Sequence, residues 1–367
     1  MSLKNDGATM LHRTLRWGAV LVALGCFSPL AANAASTYGA AAPSAIVAPQ
    51  VTQQAATQTT SLLAGRISQA VSNVTGSIGG GPQPSFSPSP GRVSGLNQQG
   101  KAAGDPVKDT ALWMNAGNAW VENDQDGVNF DGTIQTAIVG IDHQITDNWL
   151  VGVAAGYEHP DVTTKFNNGT FKGNNFALFP YAAYIINKNF SLNAVAGYTL
   201  VNYDTTRNNG AVTGSIEGDR LFGNLNATAS TTINNWGLSS TAGYMWLLET
   251  QDAYTETGVG ANRNEENQVR LGQLRWTNKA GYTLEQDWGS ITPYGSVRLE
   301  YDASHTPTGV ADAIGTPVAN DRFGATFGIG ADAKVGDDIS VSLEGTSSEF
   351  REHLSTYAVS GTVRIKF

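Results

Sequence analysis

Asn148-Trp-Leu-Val-Gly-Val-Ala-Ala-Gly-Tyr157 is written twice more in this chain, as Asn189-Phe-Ser-Leu-Asn-Ala-Val-Ala-Gly-Tyr198 and as Asn235-Trp-Gly-Leu-Ser-Ser-Thr-Ala-Gly-Tyr244. Each copy places a ring residue after Asn and ends on Ala-Gly-Tyr. On an extended strand, residues eight positions apart share a face. At about 3.3 Å per residue the ring and the Tyr stand roughly 26 Å apart. That matches the apolar band of an outer-membrane barrel, about 25 Å tall with an aromatic girdle at each edge. The template therefore reads as a membrane-crossing strand with two interface anchors. Trp149, Phe190 and Trp236 belong to one girdle, and Tyr157, Tyr198 and Tyr244 to the other.

The opposite face of the template carries Gly152, Ala154 and Gly156; Ser191, Asn193 and Gly197; Gly237, Ser239, Thr241 and Gly243. These small or polar residues leave space inside a wide barrel. A water channel or a helix would each fill it.

Composition agrees with a barrel. Charged residues are 14% of the chain, against about 25% in a soluble domain. Glycine supplies 42 of 367 residues. The longest apolar run, Trp17–Leu30, contains Pro29 and is too short to span a bilayer as a helix. A barrel strand needs an apolar residue only at every second position, so hydropathy stays ordinary.

Residues 1–34 read as a secretory signal. Lys4, Arg13 and Arg16 precede the apolar run, and Ala32-Asn33-Ala34 offers a small-x-small cleavage site after Ala34. Met10 is an alternative start. Cleavage would leave 19 Lys+Arg and 30 Asp+Glu, a net charge of −11. No nucleic-acid partner fits that charge. The one cysteine, Cys26, lies in this segment, so no disulfide is expected in the mature chain. Lipidation at Cys26 is the competing reading, but Ala23 stands where a lipidation motif carries Leu.

Residues 35–109 are rich in Ala, Thr, Gln, Ser, Gly and Pro. They read as a largely disordered passenger or linker region. Within it, Leu62, Leu63, Ile67, Ala70, Val71 and Val74 recur at helical spacing. This predicts one amphipathic helix over 61–76, either a marginal helix in a flexible arm or a plug in the lumen.

Residues 110–367 read as twelve strands: 111–122, 132–145, 148–158, 171–187, 189–203, 213–231, 235–250, 269–285, 290–302, 320–334, 338–347 and 353–367. Short Asn- and Asp-rich turns alternate with longer loops at 123–131, 159–170, 204–212, 251–268 and 303–319. Barrels keep short turns on the periplasmic side and long loops outside. The expected fold class is all-β: a twelve-stranded antiparallel transmembrane barrel with a short N-terminal region. Strand two, Ile134-Gln-Thr-Ala-Ile-Val-Gly-Ile141, shows no clean alternation, and Pro180 predicts an irregular ladder in strand four.

Alternation is clearest near the C-terminus. Tyr357, Val363, Ile365 and Phe367 share one face of the last strand, while Arg364 and Lys366 share the other. A charge facing lipid near the midplane costs about 2–4 kcal/mol. Arg275, Lys279, Glu285, Arg298, Glu300, Arg322, Asp332, Glu344, Arg364 and Lys366 are therefore expected to point inward as a lumen charge network. Its role is either structural or a polar rail for a helix.

Several marks in this order resemble the translocator β-domain of bacterial autotransporters, the type V secretion proteins. They are Asn123-Asp-Gln-Asp-Gly127, the Ala-Gly-Tyr strands, Asp252-Ala-Tyr-Thr-Glu256, Val269-Arg-Leu-Gly-Gln273, Asp321-Arg-Phe-Gly324 and the ending Tyr357–Phe367. The resemblance covers residues 110–367. It implies a monomeric barrel anchored among lipid and lipopolysaccharide in the outer membrane of a Gram-negative bacterium. It also implies insertion by the outer-membrane assembly machinery, which reads Tyr357, Val363, Ile365 and Phe367, and export or display of the N-terminal segment past a lumen helix. The only cargo in view is residues 35–109. The alternative is a channel or adhesin barrel with no passenger.

Chemistry is sparse. His143, His159, His305 and His353 are scattered, and Thr133 stands where a calcium loop needs Glu. The Asn pairs at 167–168, 174–175, 208–209 and 234–235 fall in predicted loops, so no self-cleavage in the lumen is expected. No catalytic, cofactor or metal site is expected, and the chain reads as a non-enzyme.

Overall fold

The computed structural model describes residues 43–75, 109–306, 321–336 and 338–367, with helix side chains described from Ile46 to Val71. The expected signal segment 1–34, its cleavage at Ala34 and the linker beyond the helix lie outside the described residues.

Twelve antiparallel strands close into a barrel around one helix. The helix, α1, spans Pro43–Thr75. The strands are β1 (Thr110–Asn123), β2 (Phe130–Thr146), β3 (Trp149–Thr164), β4 (Gly169–Gly173 and Asn175–Asn187), β5 (Phe190–Arg207), β6 (Val212–Ile233), β7 (Trp236–Gln251), β8 (Asn267–Tyr282, extended by Leu284–Gln286), β9 (Gly289–His305), β10 (Phe323–Val335), β11 (Ile339–Glu349) and β12 (Leu354–Lys366). Each strand pairs with the next in sequence. β1 also pairs with β12, from Ala111 opposite Lys366 to Asn123 opposite Leu354. Closure leaves no open strand edge; within a bilayer each unpaired backbone group of such an edge would cost several kcal/mol.

The template residues sit where the periodicity puts them. Trp149, Phe190 and Trp236 face outward at the short-turn end. Tyr184 packs on Trp149 at 4.9 Å and Tyr282 on Trp236 at 5.2 Å. At the other edge Tyr198 is exposed, Phe176 packs on Tyr157 at 5.2 Å, and Tyr244 lies across Gly272. On β12, Tyr357, Val363, Ile365 and Phe367 all face outward. The Phe367 backbone N–H donates to the Thr110 carbonyl at 3.0 Å.

The small residues of the template are explained by rings on neighbouring strands. A Cβ on Gly152 would stand 2.2 Å from the Tyr181 ring, one on Gly156 2.6 Å from Phe179, and one on Gly197 2.1 Å from Phe222. The space these glycines leave is filled by aromatic side chains lying flat across them, and the helix fills the rest.

Three features differ from the sequence expectation. First, α1 starts well before residue 61. Its N-terminal half has no apolar stripe because both polar and apolar walls surround it. Second, β2 is apolar on both faces: Val139 and Ile141 face outward, while Ile134 and Ile138 are buried toward α1. Third, 159–170 and 204–212 are mostly strand. β3–β6 run past Tyr157 and Tyr198 to tight tips at Asn168, Asn208 and Asn209, all at positive φ. The inward Val162, Phe171, Val201 and Tyr203 hold these extensions against the start of the helix. Pro180 acts as expected by its missing N–H: the β4–β5 ladder passes over Phe179 and Pro180 and resumes in the same register.

Gly152→Val should destabilise the barrel by about 1–3 kcal/mol through overpacking against Tyr181. Gly223→Ala, where the nearest atom to a new Cβ is 4.0 Å away, should be neutral. Urea unfolding of the barrel in lipid vesicles reads both.

Candidate functional site

The functional geometry is the fit between α1 and the barrel wall. The sequence of α1 contains one charged residue, Arg66. Thr, Gln, Ser and Ala dominate the rest. Such a helix has little to stabilise it in water, since isolated helices depend on tertiary packing of an apolar face. Here the wall supplies two kinds of partner.

Apolar partners form two tiers. At the long-loop end Ile46, Val47, Val51 and Ala55 are enclosed by Val121, Phe130, Ile134, Phe171, Tyr203, Ile216 and Leu354. Nearer the short-turn end Leu63, Ile67, Ala70 and Val71 pack on Trp113, Ile138, Leu150, Phe179, Tyr181 and Phe222. The first tier makes an apolar collar around the helix at the long-loop end.

Polar partners follow the same order along the helix. Asn123 donates to Gln50 at 2.9 Å, Thr52 donates to Glu249 at 3.0 Å and Gln53 donates to Asp302 at 3.0 Å. Thr59 donates to Glu158 at 2.6 Å. Arg275 donates to Thr60 at 2.7 Å and Thr57 at 3.2 Å, and Arg298 to Ser61 at 2.7 Å. Arg66 bonds Asp142. Asn123 ends β1 beside a long loop, and Asp142 lies just before a short turn. The helix therefore runs with its N-terminus at the long-loop end.

Behind these contacts lies a buried ionic framework. Arg220 donates to Glu249 at 2.8 Å, to Glu158 at 2.7 Å and to Tyr203 at 3.2 Å. The three charged side chains are at most 2% exposed. Two carboxylates thus share one guanidinium, and each takes a further hydrogen bond from a helix threonine. On β8–β10, Lys279 pairs with Asp332 at 3.1 Å and sits 3.3 Å from the Tyr294 ring centroid; Arg298 pairs with Glu300 at 2.6 Å. Arg351, between β11 and β12, bonds Asp302 of β9 at 2.9 Å. Burial opposes the charge on Arg351, but the bond to Asp302 and the charges of Asp302 and Glu300 together outweigh it and raise the guanidinium pKa.

Of the charges expected inward, Arg275, Lys279, Arg298, Glu300, Asp332, Glu344 and Arg364 line the lumen, buried or half-buried. Glu285 and Arg322 do not: both are exposed, Glu285 in the short extension of β8 and Arg322 just before β10. Lys366 is half-buried at the foot of β12. The expected network missed Asp142, Glu158, Arg220, Glu249, Asp302 and Arg351. The signal for Glu158 was present, since Tyr157 marks the outward face and its neighbour must point in.

The packing is asymmetric. Ser61, Leu62, Gly65 and Ser68 face a polar cleft of about 230 Å³, walled by Thr241, Lys279, Tyr294, Arg298 and Glu344. Among the described residues no cluster of three His, Cys, Asp or Glu could hold a metal.

The model of the autotransporter β-domain family matches residues 112–346, most of the barrel and more than half of the chain. The chain belongs to that family. Among solved structures, the translocator domain of the autotransporter NalP from Neisseria meningitidis is similar, with TM-score 0.60 and 15% identity over 71% of this chain and 89% of that one. The β-domain of the Bordetella autotransporter Brka is similar at TM-score 0.57 and 16% identity, over 71% of this chain and 100% of that one. No curated protein matches. The chain is an outer-membrane barrel of autotransporter type.

Replacing Arg220 by Met would leave Glu158 and Glu249 buried against each other. A loss of about 3–5 kcal/mol in unfolding free energy is expected. Lys165→Ala, which removes the exposed pair with Asp131, should cost under about 1 kcal/mol.

Proposed function

We propose that this barrel anchors in the outer membrane and carries its N-terminal segment through the lumen to the cell surface. One observation carries the reading: α1 lies in the lumen with its N-terminal residues at the long-loop end and Arg66 near the short turns. Long loops face outward in such barrels. The polypeptide preceding Pro43 joins the helix at that outer end. The chain that follows Thr75 leaves at the end where β1 begins.

The helix stays behind as the plug once the segment has passed. The collar around Ile46–Ala55 argues against a resting open channel, the main alternative. The barrel acts as conduit and anchor rather than catalyst. The outward β12 residues Tyr357, Val363, Ile365 and Phe367 suit recognition by the assembly machinery, and the two girdles suit a single barrel standing among lipid and lipopolysaccharide.

An epitope inserted after Thr37 should be labelled on intact cells, with a periplasmic protein as leakage control. Labelling only after permeabilisation would rule out surface delivery. Deleting residues 43–75 should also convert a nearly silent barrel into one with steady conductance in planar bilayers. Unchanged conductance would contradict the plug.

A further inference from the structure

β1 and β12 are neighbours in the closed sheet that no turn joins. The one charge of the helix, Arg66, lies beside this seam. Arg66 bonds Asp142 of β2, and both side chains are at most 2% exposed. The other Asp142 oxygen lies 3.5 Å from the guanidinium of Arg364 on β12. One carboxylate thus faces a cation from the helix and a cation from the closing strand.

β1 is held inside this node. The Trp113 ring lies 5.4 Å from the Arg66 guanidinium carbon, its indole N–H donates to Tyr181 at 2.8 Å, and the Tyr181 hydroxyl stands 3.4 Å from Asp142. The same ring covers Gly140 of β2 at 2.4 Å from where a Cβ would be. Two further helix residues follow the seam upward. Gln58 lies over Gly117 of β1, and Gln50 takes the bond from Asn123 at the top of β1. The seam has its own inward side-chain bond, Asn115 to Thr362 at 2.6 Å.

We propose that the Arg66–Asp142–Arg364 node makes helix seating the lock of the β1–β12 seam. With Arg66 in place, Asp142 is dry and bridges the strands on both sides of β1. Without it, the lumen wall at this point opens to water, and the long contact with Arg364 is screened. The seam then becomes the part of the barrel that opens first. This inference concerns barrel closure and does not depend on whether the chain exports anything.

Hydrogen–deuterium exchange on the full chain in detergent micelles tests it. Asp142→Asn should speed exchange of β1 and β12 amides by about tenfold or more, leaving β5–β7 within about twofold. Asp332→Asn, which breaks the Lys279–Asp332 wall pair on β8–β10, should spare the seam. Faster exchange all round the barrel with Asp142→Asn, or no change at the seam, overturns the proposal. Should Asp142→Asn fail to fold, a disulfide across the seam decides the matter. Met114→Cys with Val363→Cys, facing pairs in the ladder, should restore folding. The same bridge at Ala194→Cys with Leu225→Cys on β5–β6 should not. Rescue by both bridges or by neither also overturns it.

Discussion

The ladder between β1 and β12 is the contact on which the rest of the molecule depends. In lipid a strand edge has nowhere to place its N–H and C=O groups, so the sheet must close on itself. Closure fixes the register all the way round, from Ala111 opposite Lys366 to Asn123 opposite Leu354. A fixed register decides which side chains face lipid and which face the lumen. The inward set cannot be left empty. Rings from one strand lie over glycines of the next, and a helix fills what remains.

That filling is chemically divided. β1–β6 present mostly apolar side chains to the helix, whereas β7–β10 present charges and hydroxyls. A conventional amphipathic helix would suit such a lumen poorly along its whole length. The helix instead carries short hydroxyl and amide side chains, of which Gln50, Thr52, Gln53, Thr57, Thr59, Thr60 and Ser61 bond the wall, with apolar residues placed in two tiers. Thr52 and Thr59 complete the hydrogen bonding of Glu249 and Glu158, so wall and helix satisfy each other. Their buried charges limit where the helix can stop, because moving it by a turn would leave those carboxylates facing apolar groups.

Much of this was legible in the residues. The Ala-Gly-Tyr template gave the start of each strand and its outward face, because ring residues eight positions apart share one face of a strand. Turn residues such as Asn234 and Gly336 placed the hairpins. What the residues hid had physical reasons. The N-terminal half of α1 has no 3.6-residue apolar period, since its partners are polar on one side and apolar on another. β2 lost its alternation because Ile134 and Ile138 pack on that helix. Nothing in the residues around Arg220 and Asp142 marks their role, and only their cross-barrel partners explain them. Glu285 and Arg322 had the right parity but lie at strand ends, in water.

The central claim is that the helix sits in the lumen with its N-terminus toward the long loops. The most direct measurement is thiol cross-linking in intact cells with a short bifunctional reagent. The account predicts that Gln50→Cys joins Asn123→Cys and does not join Asp142→Cys. Joining to position 142 in place of 123, or to neither, would contradict it.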